Sequence, residues 1–483
     1  MLFNSIEFFL FFPFVFITYY LISPKYRWLF LLLASYYFYM SWKPEYAILI
    51  MASTVIDYFT GLGIGKSSSK KVRLSLLCVS LCTNLGLLFT FKYFNFFIDS
   101  INSVWELIPQ GPTLSNVDLI LPVGISFYTF QTLSYTIDIY KGQQQPERNF
   151  GKFALFVSFF PQLVAGPIER SVHLLPQFSR KVSFNYNQVV SGFRLMLWGL
   201  FKKMVIADRL ALIVNEVYGN HENYAGLQLI LGTAFFAFQI YCDFSGYSDI
   251  AIGAARSLGF DLMTNFRIPY FSKSIREFWS RWHISLSTWF RDYVYIPLGG
   301  NRASESRWFF NLFITFLISG LWHGANWTFV VWGALHGFYL IAAIVRDKLV
   351  AHFNLSWMKF NSNNLFGRLA NMGLTFGLVC LGWVFFRADN VSEGLAIIQN
   401  MAHISKSQIG LFTFGASLKD ELLLSLIFLP VMLCAEFLTR KGTIEEIVGK
   451  LPWLVRWALY ILFGICITLF SVFGSQEFIY FQF

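Results

Sequence analysis

Long apolar runs broken by short polar intervals fill the chain from end to end. Candidate stretches lie near residues 7–23, 28–42, 46–65, 74–98, 117–140, 153–168, 189–206, 226–248, 308–321, 325–345, 370–386, 421–438 and 455–473. A bilayer core is crossed by about 20 mostly apolar residues in helical form, because each helical residue advances about 1.5 Å. The pattern therefore predicts an all-α, polytopic transmembrane bundle of about 11–13 spans. Several runs are short or interrupted by Gly and Pro, which predicts partial or re-entrant segments where the backbone is satisfied by protein.

Composition agrees with that reading. Hydrophobic residues make up 56% of the chain, aromatics 20% and charged residues only 13%, against about 25% charged in a soluble protein. The first apolar run follows Glu7 and has no Lys or Arg before it. It reads as an anchor, since a cleavable signal opens with a basic region. Lys25 and Arg27 come directly after it, and Lys66, Lys70, Lys71 and Arg73 fall in the next loop on the same side. The positive-inside bias then puts the N-terminus outside.

The net charge is +10, from 37 basic and 27 acidic residues. In a bilayer protein such an excess meets anionic lipid heads, so the lipid bilayer is the expected partner and nucleic acid is not. Of the six cysteines, Cys78 and Cys82 share a helix face and the rest stand alone. No CxxC and no Cys/His pairing suggests zinc, and no metal is expected.

Three polar intervals are longer. One, 100–117, carries Pro109, Gly111 and Pro112, and another, 346–367, is rich in Asn and Ser. The third, 249–307, is different in kind. Between 266 and 302 it holds six basic residues (Arg267, Lys273, Arg276, Arg281, Arg291, Arg302) against Glu277 and Asp292. Read as one helix from about 273 to 292, Trp279, Trp282, His283 and Trp289 fall roughly on one side. An interfacial amphipathic helix explains Trp and Arg at headgroup level, but not a histidine on the aromatic face.

Ionisable groups within apolar stretches are costly and are functional candidates by default. His221, His352 and His403 fall in polar intervals, and His173 follows the Gly166–Pro167 turn beside Glu169 and Arg170. That leaves His283, His323 and His336. His323 stands among Gly320, Gly324 and Ala325, at the join of two apolar runs. A neutral imidazole there is suited to take a proton from a hydroxyl, and a structural hydrogen bond is the competing role. His336, thirteen residues on, would be about 220° round a continuous helix and reads as a packing residue. Asp57, Asp138, Asp243 and Asp249 either pair with basic groups or form a proton path. No HExxH, no phosphate-binding Gly loop and no G-x-S-x-G elbow is present.

Five collinear blocks carry a resemblance. They are LPVGISFYTFQTLSYTIDIY (121–140), FFPQLVAGPIER (159–170), FQIYCDFSGYSDIAIGAARSLGF (238–260), NFRIPYFSKSIREFWSRWHISLSTWFRDYVYIPLGGNR (265–302) and GLWHGANWTFVVWGALHG (320–337), with FIYFQF at the C-terminus. On these blocks the chain resembles the membrane-bound O-acyltransferase family, in its bacterial alginate O-acetylation branch. The resemblance implies one membrane domain over 1–483, with N-terminal helices in 1–116, a motif-bearing core in 117–345 and C-terminal helices in 346–483. It also implies a bundle pierced by a funnel. The family's invariant histidine falls on His323 and its second polar site on His283. Trp322, Asn326, Trp282, Trp279, Ser285, Arg291 and Asp243 are the candidate lining residues.

What the resemblance implies chemically is transfer of an acyl group, acetyl foremost, from a cytoplasmic donor to a hydroxyl outside the bacterial inner membrane. The donor would be acetyl-CoA or an acyl carrier, used as co-substrate, with no bound cofactor. The acceptor would be an exopolysaccharide or a periplasmic or membrane-attached acetyl-transfer protein. D-alanyl transfer, or O-acylation of a lipid or protein, keeps the same fold. A transporter without chemistry is the alternative from another class, and it predicts inverted repeats, of which none is seen.

Overall fold

The architecture is described from a computed structural model, which describes residues 1–106, 108, 113–164, 166–353, 364–403, 418–472 and 478–481. Pro109, Gly111, Pro112 and residues 354–363 of the Asn/Ser-rich 346–367 interval lie outside the described residues. Each of the thirteen apolar runs contains helix, and among the described residues there is no strand. Among the described residues, seven helices are long and apolar enough to cross a membrane: Pro44–Lys66, Lys70–Trp105, Leu227–Ser257, Trp327–His352, Leu365–Arg387, Lys419–Leu438 and Trp453–Phe470. Ile6–Leu21 is a shorter apolar helix. The protein is thus a multi-pass helical membrane protein.

Helix starts follow local chemistry. Ser5, Asn149, Ser274, Asn326, Asn364 and Asn390 are N-caps whose side chains accept an N–H from the first turn. Such caps satisfy donors that the helix itself leaves unpaired.

The chain divides into two compact units, Met1–Met196 with Tyr247–Met263, and Leu197–Gly246 with Thr264–Phe483. All three boundaries, after residues 196, 246 and 263, fall inside the stretch 117–345. In the first unit, the helices Ala47–Lys66, Lys70–Leu88 and Ile125–Tyr140 enclose a polar network. Asp57 accepts from Ser80 Oγ at 2.5 Å and from Asn84 Nδ2 at 2.8 Å, while Ser53 Oγ donates to Asn84 Oδ1 at 2.6 Å. Asp57 was expected to pair with a base or conduct protons; in the structure it bonds the Ser53 and Ser80 hydroxyls and the Asn84 amide. Filled in this way, the buried carboxylate's hydrogen bonds offset part of its desolvation.

Also in this unit, Glu169 is fully buried; it accepts the Met263 N–H at 2.5 Å and lies 2.7 Å from His173 Nδ1. Burial raises the Glu169 carboxyl, and the hydrogen bond to Glu169 raises His173.

In the second unit the helices Glu305–His323 and Trp327–His352 lie against each other through glycine. Gly320 and Gly333 face one another, and a methyl group added to Gly320 would lie 2.2 Å from the Phe329 carbonyl oxygen. Only glycine allows backbones to come this close. His323 is the last residue of the first of these helices.

Candidate functional site

The predicted continuous helix over 273–292 does not form. Two short helices replace it, Ile275–Arg281 and Ile284–Phe290, separated by Trp282 and His283. His283 adopts the left-handed conformation, with φ 42° and ψ 56°, which costs a non-glycine residue roughly 1–3 kcal/mol. A clamp around Asn265 holds the break. The Asn265 carbonyl accepts the Ile284 N–H at 2.9 Å, its side-chain oxygen accepts from Ser285 Oγ at 2.6 Å, and Arg267 N–H bonds the Arg281 carbonyl at 3.0 Å. The backbone strain turns His283 off the aromatic helix face on which the sequence pattern alone would leave it.

His283 and His323 come from elements forty residues apart, and their rings lie 6.3 Å from each other. Both are buried, with 0% and 3% exposure. Trp322 is 4.9 Å from the His323 ring and 6.0 Å from His283. Phe244 meets His283 edge-on at 4.7 Å, and Trp332 and Phe386 flank His323 at 4.9 and 5.5 Å. Burial among these rings pushes the His283 imidazole down to about 3, because an apolar surround disfavours the cation. An imidazole kept neutral offers a lone pair to a hydroxyl proton and an N–H to an oxygen that gains charge.

Other predicted lining residues take different places. Trp279 donates its indole N–H to His336 Nδ1 at 3.3 Å, so His336 is a buried packing partner; the expected angle of about 220° round one helix does not apply, because one helix ends at His323 and the next starts at Trp327. Trp282 is fully buried against Trp383 and Phe278. Ser285 belongs to the Asn265 clamp. Asn326 caps its helix, accepting from Thr328 N–H at 3.0 Å and donating to the Asp389 carbonyl at 2.8 Å. Arg291, well exposed, pairs with Asp292 at 2.7 Å. Asn326 thus serves a helix cap and Arg291 a surface pair.

Asp243 pairs with Lys203 at 2.7 Å and accepts the Ile479 backbone N–H at 2.8 Å. That bond seats the C-terminal segment, where Tyr480 lies 5.8 Å from the His323 ring and 6.3 Å from His283. Tyr480, Phe244, Trp332 and Phe386 escaped the sequence reading. Aromatic residues are too frequent in this chain for any one to stand out. Lys203 was detectable: it is a charge inside the apolar run 189–206.

Residues 147–383 match the model of the MBOAT, membrane-bound O-acyltransferase family. The chain is 41% identical over 420 residues to a probable alginate O-acetylase AlgI of Pseudomonas aeruginosa, covering 87% of this chain and 76% of that protein. The chain belongs to the membrane-bound O-acyltransferase family. A Helicobacter pylori peptidoglycan O-acetyltransferase is 36% identical over 437 residues, with 84% of this chain and 80% of that protein covered. A teichoic acid D-alanyltransferase of Bacillus subtilis is 26% identical over 300 residues, covering 59% and 74%. This membrane O-acyltransferase is an enzyme, and among its described residues no group of three or more His, Cys, Asp or Glu could hold a metal ion.

Proposed function

We propose that this O-acyltransferase moves an acetyl group from a cytoplasmic thioester, acetyl-CoA or an acyl carrier, to a hydroxyl of an envelope or secreted polysaccharide, directly or through a periplasmic or membrane-attached partner protein. The enzyme sits in the bacterial inner membrane with its N-terminus outside, in keeping with the basic loops after the first helix. The observation that carries the reading is the meeting of His283 and His323 in one buried aromatic cluster, 6.3 Å from ring to ring.

In this scheme His323 is the general base. It takes the proton as the hydroxyl oxygen attacks the acyl carbonyl, and His283 donates a hydrogen bond to the oxyanion that forms. Collapse breaks the carbon–sulfur bond, and the thiolate leaves with the proton returned from His323. Base assistance of this kind supplies about 10²–10⁴ in rate and an oxyanion donor about 10²–10³. Low water content strengthens both terms.

The test is His323→Ala, checked for membrane insertion and an unchanged unfolding temperature. Acetyl esters on surface polymers, measured by mass spectrometry, should vanish. Near-full acetylation in that variant would refute the assignment. Loss of D-alanine in place of acetyl would move the substrate to the D-alanyl branch represented by the Bacillus subtilis relative.

A further inference from the structure

We propose that Lys203 and Asp243 are positioning residues that lock the C-terminal segment against the histidine pair. The proposal rests on the acyl-transfer reading for its kinetic consequence, but not for its structural one.

The segment follows the helix Trp453–Phe470, and residues 471–472 and 478–481 of it are described. It is tied at three points, two of them in the stretch 201–209, where the helix Tyr186–Leu200 loosens into a π-helical turn, Phe201–Ala207. Arg209 donates to the Phe470 carbonyl at 2.6 Å, and the Val472 N–H reaches the Met204 carbonyl at 3.4 Å. The last tie is the Ile479 N–H on Asp243 Oδ2.

Asp243 is a buried carboxylate whose two oxygens are used differently. Lys203 Nζ meets Oδ1 at 2.7 Å, and the backbone of Ile479 fills Oδ2. Lys203 also bridges to Asp208 at 2.7 Å, and these side chains are at most 4% exposed. A π-turn is a common way to re-aim a side chain at a functional site, and here Lys203 lies inside one. Without Lys203, two carboxylates would be left buried with no counter-charge; without Asp243, Ile479 would lose its acceptor.

The register that follows is specific. Phe244, next to Asp243, contacts His283 at 4.7 Å and Tyr480 at 4.5 Å. One short stretch, 243–244, therefore holds the chain backbone at 479 and lies between Tyr480 and His283. Shifting the segment moves the Tyr480 ring, which forms part of the wall of both imidazoles.

The experiment uses the full chain in detergent. Hydrogen exchange at the Ile479 amide is compared in the wild type, Asp243→Ala, Asp243→Asn and the triple Lys203→Met/Asp208→Asn/Asp243→Ala variant, which leaves no lone charge at positions 203, 208 and 243. We expect exchange in Asp243→Ala to speed up by about tenfold or more, and kcat to fall by about tenfold with the donor KM changed by less than about twofold, since a small misplacement at reacting groups acts on the barrier. Asp243→Asn keeps an acceptor oxygen and should lie between. Should Asp243→Ala fail to fold, the triple variant, which also lacks the acceptor, carries the test with the same expected outcomes. Unchanged exchange overturns the docking, and fast exchange with wild-type kcat overturns the positioning role. Exchange needs no substrate, so an active His323→Ala would sink the catalytic reading while leaving this measurement intact.

Discussion

Gly320→Ala is the most economical way to ask whether the backbone behind His323 sets its working position. The added methyl would lie 2.2 Å from the Phe329 carbonyl oxygen and 3.1 Å from Gly333 Cα. Carbon–oxygen contacts relax at about 3.3 Å, so the helices Glu305–His323 and Trp327–His352 must part by about 1 Å. The obstacle is backbone on both sides, with no flexible side chain to swing away. Overpacking of this kind costs about 1–3 kcal/mol. His323 is one turn further along and shares the displacement, and about 1 Å at a reacting group can cost about 10² in rate.

Thermal unfolding in detergent and a turnover assay on the same preparation separate the two effects. Gly373→Ala and Gly377→Ala serve as controls, because nothing lies within 4 Å of a methyl at either site. There alanine should stabilise the helix by up to about 1 kcal/mol. The reasoning fails if Gly320→Ala keeps both wild-type stability and wild-type turnover.

Other expectations follow from the same geometry. His283→Ala and His283→Gly should both lose about 10²-fold or more in kcat. The glycine variant should be the more stable by about 1 kcal/mol, because it relieves the left-handed backbone; equal unfolding temperatures would argue against strain at 283. The Glu169–His173 contact should loosen with rising pH. His173 is raised by its hydrogen bond to Glu169, so its contribution is complete below the ordinary histidine value and is lost as pH climbs through the folded one. Hydrogen exchange at Met263, measured from pH 6 to 9, should quicken in the wild type and flatten in His173→Gln.

Much of the architecture was legible in sequence because the bilayer imposes a one-dimensional requirement. A backbone in hydrocarbon must satisfy its own hydrogen bonds, so an apolar run of sufficient length becomes helix wherever it stands. All thirteen runs do contain helix. His323 could be singled out for the same reason, as a costly polar group at the join of two such runs. The break at Trp282–His283 was not legible. Helical periodicity runs straight through 273–292, and what overrides it is the Asn265 clamp, made by residues about twenty positions earlier. The C-terminal FIYFQF was visible as a motif, but nothing local says that Ile479 would find Asp243, 236 residues away. Periodicity and burial cost are properties of a segment and can be read along the chain. Which imidazole meets which aromatic ring depends on contacts between distant segments, and only the folded chain decides those.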